Sequence, residues 1–385
     1  MTSSASIGRG VKERTQPHVD FDLHGFVGVR LMEPTPGDVA TIGRQIGPLQ
    51  SQLDRPPDIT IRFVDRITDA RPLTYATWPE GAFTQDAFYL LRGRDGIIAR
   101  TSLPFADVGG RCDIVCERRA GHVPHLLAVI NLTALANGVL PLHASAFIHH
   151  GTGVMATGWA KGGKTETLLA FAARGASYVG DEWIYLTPDG TMHGVPEPIR
   201  LWHWHVEQLR HLAATLPLGA RSRLTMLPAA AALASRLADR LPASSMPASV
   251  LRRANPVVRR QAYVHVTPER LFGSSAVVLR GKLDAVLLLA SHDQPTVSVV
   301  PIEGHEVSRR MRASLEEERA PFMAAYRQFR FAFPDRSSRV VEQAAALEAE
   351  LLGRLLDDRT AHLVGHPYPV RLDALIEPVE SILPI

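Results

Sequence analysis

The chain has 385 residues, 45% hydrophobic and 21% charged, with a net charge of +3. Such a length buries one large core or two ordinary ones, and the composition is that of a soluble globular protein. The small net charge gives no argument for nucleic acid as a partner. No apolar run reaches the ~18 residues of a membrane helix; the longest, residues 123–142, is broken by His125, Asn131 and Asn137. The polar first twenty residues lack the apolar core of a secretory signal, so no membrane association and a cytoplasmic location are expected. Cys112 and Cys116 do not form a CxxC pair and read as small buried apolar side chains.

In chain order, residues 1–18 read as a disordered tail and 19–122 as an accessory region of strands with one helix. Within it, 25–32, 60–64 and 87–92 are strand candidates, a capped helix follows Pro36-Gly37-Asp38, and Arg94-Asp95-Gly96 is a turn signal. Residues 123–385 read as a second domain. It opens with a buried helix over 123–139. Two apolar runs, 145–150 and 154–157, flank Gly151-Thr152-Gly153 and predict a hairpin.

The second hairpin strand runs into Gly158-Trp159-Ala160-Lys161-Gly162-Gly163-Lys164-Thr165, which satisfies the P-loop pattern GxxxxGK[ST]. Residues 165–174 are rich in helix formers, and Gly175 is placed to end the helix. Strand, glycine-rich loop and helix N-terminus together aim several N–H groups at one anion. The only lysines are Lys12, Lys161, Lys164 and Lys282; two of them lie in this loop, where a compact cation suits phosphate. Lys164 is expected to reach the β- and γ-phosphates of ATP, and Thr165 to hold Mg²⁺.

A strand over 176–179 then ends in Gly180-Asp181-Glu182, followed by a hairpin over 183–195. Mg²⁺·ATP needs an acid at a strand end, and the short return from Lys164 to Asp181 resembles kinases that use the acid beside the phosphoacceptor. Asp181 is the expected base, with Glu182 reaching the metal. A tight hairpin feeding the P-loop strand is incompatible with a purely parallel sheet, so a mixed α/β sheet is expected. Residues 200–260 read as a helical insertion in which ten arginines face only Glu207 and Asp239. This is either a cationic flap or a solvated insertion. Strands are expected at 262–267, 276–279, 283–290 and 361–364. Helices are expected at 306–330, with the charged block Glu316-Glu317-Glu318-Arg319, and at 339–356, with a closing helix or turn at 371–379.

Leu142-His143, the hairpin, the P-loop with Glu166 after GKT, Arg174-Gly175, the acidic pair and Leu271-Phe272-Gly273 resemble bacterial HPr kinase/phosphorylase and its kinase relatives. The resemblance covers residues 140–200 and 262–290. It implies a phosphoenolpyruvate carboxykinase-like P-loop fold, transfer of phosphoryl from ATP to a serine hydroxyl, Lys164 on phosphate, Asp181 as base, and His143 lining the site. The family's tendency to assemble leaves a homo-oligomer open. Trp159, Lys161, Glu182 and the Arg-rich insertion depart from the family pattern. They point to another acceptor: a protein serine, a peptide or a small hydroxyl compound. Two rivals are a shikimate-kinase-type small-molecule kinase with a parallel sheet, and a nucleotide-binding regulatory protein without transfer. A nucleic-acid translocase finds no arginine-finger signature.

Overall fold

A computed structural model describes residues 17–69, 71–209, 216–240, 246, 249 and 262–383. These fall into two compact units, one within 1–45, 49–130 and 324–338, the other within 46–48, 131–323 and 339–385. The expected tail over 1–18 lies almost wholly outside the described residues.

The first unit is built on an eight-stranded mixed sheet, β1 (His18–Leu23), β2 (Val27–Met32), β3 (Ile59–Val64), β4 (Thr74–Thr77), β5 (Gly81–Phe83), β6 (Phe88–Arg92), β7 (Ile98–Ser102) and β8 (Cys112–Glu117). The spatial order is β1-β2-β3-β8-β7-β6-β5-β4. The capped helix after Asp38 is α1 (Pro36–Ile46), where the Asp38 carboxylate accepts from the Thr35 N–H at 2.9 Å. β3 alternates buried Ile59, Ile61 and Phe63 with more exposed residues, the period of a half-buried strand. Cys112 and Cys116 share one buried face of β8 and are free thiols. Burial pushes them up to about 12 and about 11, the behaviour of inert core side chains. The unit boundary lies inside α2 (Leu126–Ala136), apolar on all sides, rather than before residue 123. Residues 324–338 also belong here, because Phe329 stacks on Phe105 at 5.4 Å and meets Phe88 edge-on at 6.1 Å.

The second unit carries a nine-stranded mixed sheet. The expected hairpin is β9 (Leu140–His149) and β10 (Thr152–Gly158), in the register His149↔Thr152. Its two turn residues, His150 and Gly151, both have positive φ, the requirement of a tight primed turn. The P-loop helix α3 (Lys164–Ala172) follows, then β11 (Ser177–Gly180), β12 (Trp183–Leu186) and β13 (Thr191–Gly194). Among the described residues β14 (Ile199–Trp202) pairs only with β15 (Tyr263–Val266), so the Arg-rich stretch begins in a strand, not a helix. The next helices are α4 (His203–Gln208) and α5 (Leu218–Arg240). Arg210, Arg252, Arg253, Arg259 and Arg260 lie outside the described residues.

α6 (Pro268–Phe272) ends at Gly273 with φ 83. The strand expected at 276–279 is instead a 3₁₀ turn at Ser274–Ala276 and a single bridge, Tyr178↔Val277; left-handed backbone at Gly273 and Leu279 interrupts the extended run. β16 (Arg280–Lys282), β17 (Ala285–His292), β18 (Ser298–Ile302), α7 (Gly304–Ala332), α8 (Arg339–Leu356), β19 (Ala361–Pro367) and α9 (Leu372–Glu380) complete the chain. The sheet order is β16-β13-β12-β9-β10-β17-β19-β18, with β11 also on β9. β10 lies between antiparallel β9 and parallel β17. Its residues are all buried, and α3 packs on it through Leu168, Leu169 and Phe171, with Phe171 stacked on Phe147 at 4.7 Å. Each such side chain contributes about 1.5–3 kcal/mol on leaving water, and that anchorage holds the P-loop still. Among the described residues, no helix is long and apolar enough to cross a membrane.

Candidate active site

The loop between β10 and α3 curls back on itself. Gly158 (φ 145) and Gly163 (φ 99) occupy backbone that L side chains rarely adopt, and Lys161 is left-handed as well. A Cβ on Gly163 would lie 2.3 Å from Nε2 of His366, so His366 on β19 fits only under a glycine. That imidazole also contacts the Gly162 carbonyl at 2.8 Å, bracing the loop from below.

Lys164 is 6% exposed. Its ammonium donates to the carbonyls of Gly158 (3.3 Å) and Trp159 (3.0 Å). Burial lowers its pKa, against the pull of Glu182, Asp181, Glu318 and Glu166. The Ser145 hydroxyl on β9 donates to the Lys164 carbonyl at 2.9 Å, tying the start of α3 to the sheet.

Beyond the helix, β11 brings Asp181 back to the loop. The Thr165 hydroxyl donates to its carboxylate at 3.1 Å. Burial and then the neighbouring Glu182 push Asp181 up to about 7. Glu182 has φ 62, a costly conformation for a residue with a side chain. The next residue, Trp183, pairs with His143 across β12 and β9 and stacks on its ring at 5.8 Å. His143 faces two carboxylates, Glu182 at 3.3 Å through Nε2 and Glu318 of α7 through Nδ1. Burial opposes its charge, but these two hydrogen bonds outweigh it and raise the imidazole. Glu182 is correspondingly lowered, chiefly by the His143 hydrogen bond.

Glu166 points to a different histidine. His205 on α4 accepts from the Trp202 N–H through Nδ1 (3.3 Å) and donates from Nε2 to Glu166 (3.2 Å), which fixes its tautomer. Trp202 and Trp204 stack in parallel, 5.1 Å apart and 4° from coplanar. Arg200 lies over Tyr263 at 4.9 Å.

These groups surround one cavity of about 490 Å³. The P-loop, His143, Asp181 and Glu182 line it, together with Arg200, Trp202, Trp204 and Tyr368. Every residue expected on phosphate, metal or acceptor from the sequence lines this cavity, except Gly158 and Trp159, which line a second one behind the loop. Among the described residues, no cluster of three or more His, Cys, Asp or Glu forms a metal-binding group. The donor set here, one hydroxyl against an acidic pair, suits an ion that takes most of its ligands from phosphate and water.

Glu318, His366 and the aromatic shelf carry no motif. Glu318 lies 175 residues from His143 in the chain, inside a charged run that gives no reason to single it out. The run Leu201-Trp202-His203-Trp204-His205 was the one available signal, because two tryptophans and two histidines in a stretch outside the sheet core are unusual. Leu271-Phe272-Gly273 does not touch the cavity; Phe272 packs on Tyr178 at 5.3 Å and supports the strand that ends in Asp181. No protein-family model matches the chain, and the search of curated proteins finds no match.

Proposed function

We propose that this protein is an ATP- and Mg²⁺-dependent kinase that phosphorylates a hydroxyl group. The observation that carries the reading is the 3.1 Å hydrogen bond from Thr165 to Asp181, which brings the P-loop and the acidic strand end to one point in one cavity. The P-loop strand is the second arm of an antiparallel hairpin in a mixed sheet. That favours the phosphoenolpyruvate carboxykinase-like core and the HPr kinase resemblance over the parallel shikimate-kinase type. A cytoplasmic location goes with use of ATP.

In this reading Lys164, Lys161 and the loop N–H groups hold the phosphate chain and stabilise charge on the transferring phosphoryl group. Mg²⁺, when bound, neutralises charge on the β- and γ-phosphates; Thr165, Asp181 and Glu182 are the residues that would hold it. The acceptor hydroxyl gives its proton to the Asp181 carboxylate. A bond forms between that oxygen and the γ-phosphorus as the bond to the β–γ bridging oxygen breaks, and ADP leaves. His143, clamped by Glu182 and Glu318, holds the acidic pair in place. The acceptor enters along Arg200 and the paired tryptophans, a surface for an anionic or aromatic neighbour of the hydroxyl.

Titration with ATP and Asp181→Asn together test the assignment. Titrated without Mg²⁺, the variant is expected to bind ATP within a few-fold of the parent, and with Mg²⁺ to lose transfer by about 10²–10⁴-fold. Unchanged transfer in the variant would remove Asp181 from the mechanism.

A further inference from the structure

Behind the P-loop lies a second cavity, of about 450 Å³, walled by Gly158 and Trp159 on one side and by Leu289, Ser291, Met311 and Ser314 on the other. Pockets of this size and mostly apolar lining suit a small flat ligand. We infer that this cavity is the nucleobase subsite, and that Trp159 is the ring on which the purine stacks.

Three observations support the assignment. The first is topological. β10 and β17 run parallel with Gly158 opposite Leu289, and their pairing stops there. Beyond Leu289 no β10 residue stands opposite β17, and Ser291 at that open end lines the cavity. Ligands in open α/β sheets gather at such carboxyl ends.

The second is electrostatic. Asp181, Glu182 and Glu166 all line the first cavity, whereas no carboxylate lines the second. Its one charged residue, Arg310, is engaged by Glu306 at 2.7 Å. An uncharged heterocycle fits the second cavity, and the reacting hydroxyl belongs with the acids in the first.

The third is Trp159 itself. The residue is 53% exposed in a loop whose pattern asks for no bulky residue there. An indole left in water beside an apolar cavity is a stacking platform, and base–aromatic stacking tolerates any base. The P-loop then separates two tasks: base on the Trp159 side, acceptor on the Trp204 side.

The assignment rests on the kinase reading in placing phosphate in the loop, and the test separates the two. Calorimetry with the full chain, Mg²⁺ present, compares ADP with inorganic pyrophosphate. Trp159→Ala is expected to weaken ADP by roughly 5- to 100-fold and to leave pyrophosphate unchanged, with Trp159→Phe restoring most of the ADP affinity. An unchanged ADP affinity, or an equal loss for both ligands, would overturn the subsite while leaving the phosphate site standing. Failure of the parent protein to bind either ligand would overturn both readings.

Discussion

Two buried acids of the first unit and two of the second are shifted in opposite directions. In the first unit Asp20 is held by Arg30 through two hydrogen bonds of 2.7 and 2.8 Å and accepts from the Leu53 N–H. Glu117 accepts from the backbone of Ile67 and Arg100 and from Arg119. Asp20 is lowered chiefly by the Arg30 hydrogen bond, and Glu117 is lowered despite burial. In the second unit Asp181 and Glu197 go the other way, whereas Glu182 and Glu166, each hydrogen-bonded to a histidine, are lowered as well. Burial raises Asp181 to about 7 and Glu197 to about 8, with the charge of Glu182 adding to both. Glu197 Oε1 is buried without a hydrogen-bond partner. The supply of donors decides the direction of each shift, and of the two raised acids only Asp181 lines the cavity.

The contrast breaks first at Asp181. Asn there should abolish nearly all transfer while leaving the melting temperature close to that of the parent, which calorimetric melting checks. Asp20→Ala should do the reverse. Arg30 still reaches solvent, so the loss is that of the charge-assisted hydrogen bonds, about 1.5–3 kcal/mol, seen as an earlier urea midpoint for the first unit with nucleotide affinity unchanged. Asp20 also sets an acid limit. Its pKa is lowered in the fold, so its stabilisation is present above the ordinary value of 3.8 and is lost as pH falls through the folded value.

Glu318→Gln should have a smaller effect. His143 keeps a partner but loses a charge, and transfer should fall by about tenfold to a hundredfold through misplacement of the acidic pair. ATP affinity should hold, so the loss appears in turnover rather than in binding.

Glu197 bears on stability rather than on transfer. Its pKa is raised by folding from 4.5 to about 8, so the folded state gains from the proton below pH 4.5 and loses that gain as pH rises through 8. Glu197→Gln should flatten the decline in stability between those limits, measured by urea unfolding at several pH values. A parallel decline in parent and variant would show that Glu197 carries its charge in the fold.

What could be read from the sequence follows the range of the interactions involved. The hairpin, the P-loop, α3 and the return to Asp181 are local, and the structure places them within a residue or two of their expected positions, except that the first hairpin strand begins at Leu140, five residues before the expected start. His143 opposite Trp183 follows from the pairing of β9 and β12. The contacts that complete the site are long-range. Glu318 reaches His143 from a helix far along the chain, and His366 reaches Gly162 across 204 residues. No periodicity encodes such pairs. β1, β4, β5, β7, β8 and β18 also escaped; β4 and β5 are short, whereas β1 alternates Val19, Phe21 and Leu23 with Asp20 and Asp22 and was legible. The strand expected at 276–279 failed for a local reason, the left-handed Gly273 and Leu279.

The most direct test of the kinase reading is transfer of label from γ-labelled ATP into host extract. The parent protein should place label on an acid-stable phosphate ester of one protein, peptide or small molecule, and Lys164→Ala should lose at least 10²-fold of it. ATP binding without any labelled acceptor, or equal labelling by Lys164→Ala, would contradict the assignment of this cavity to phosphoryl transfer.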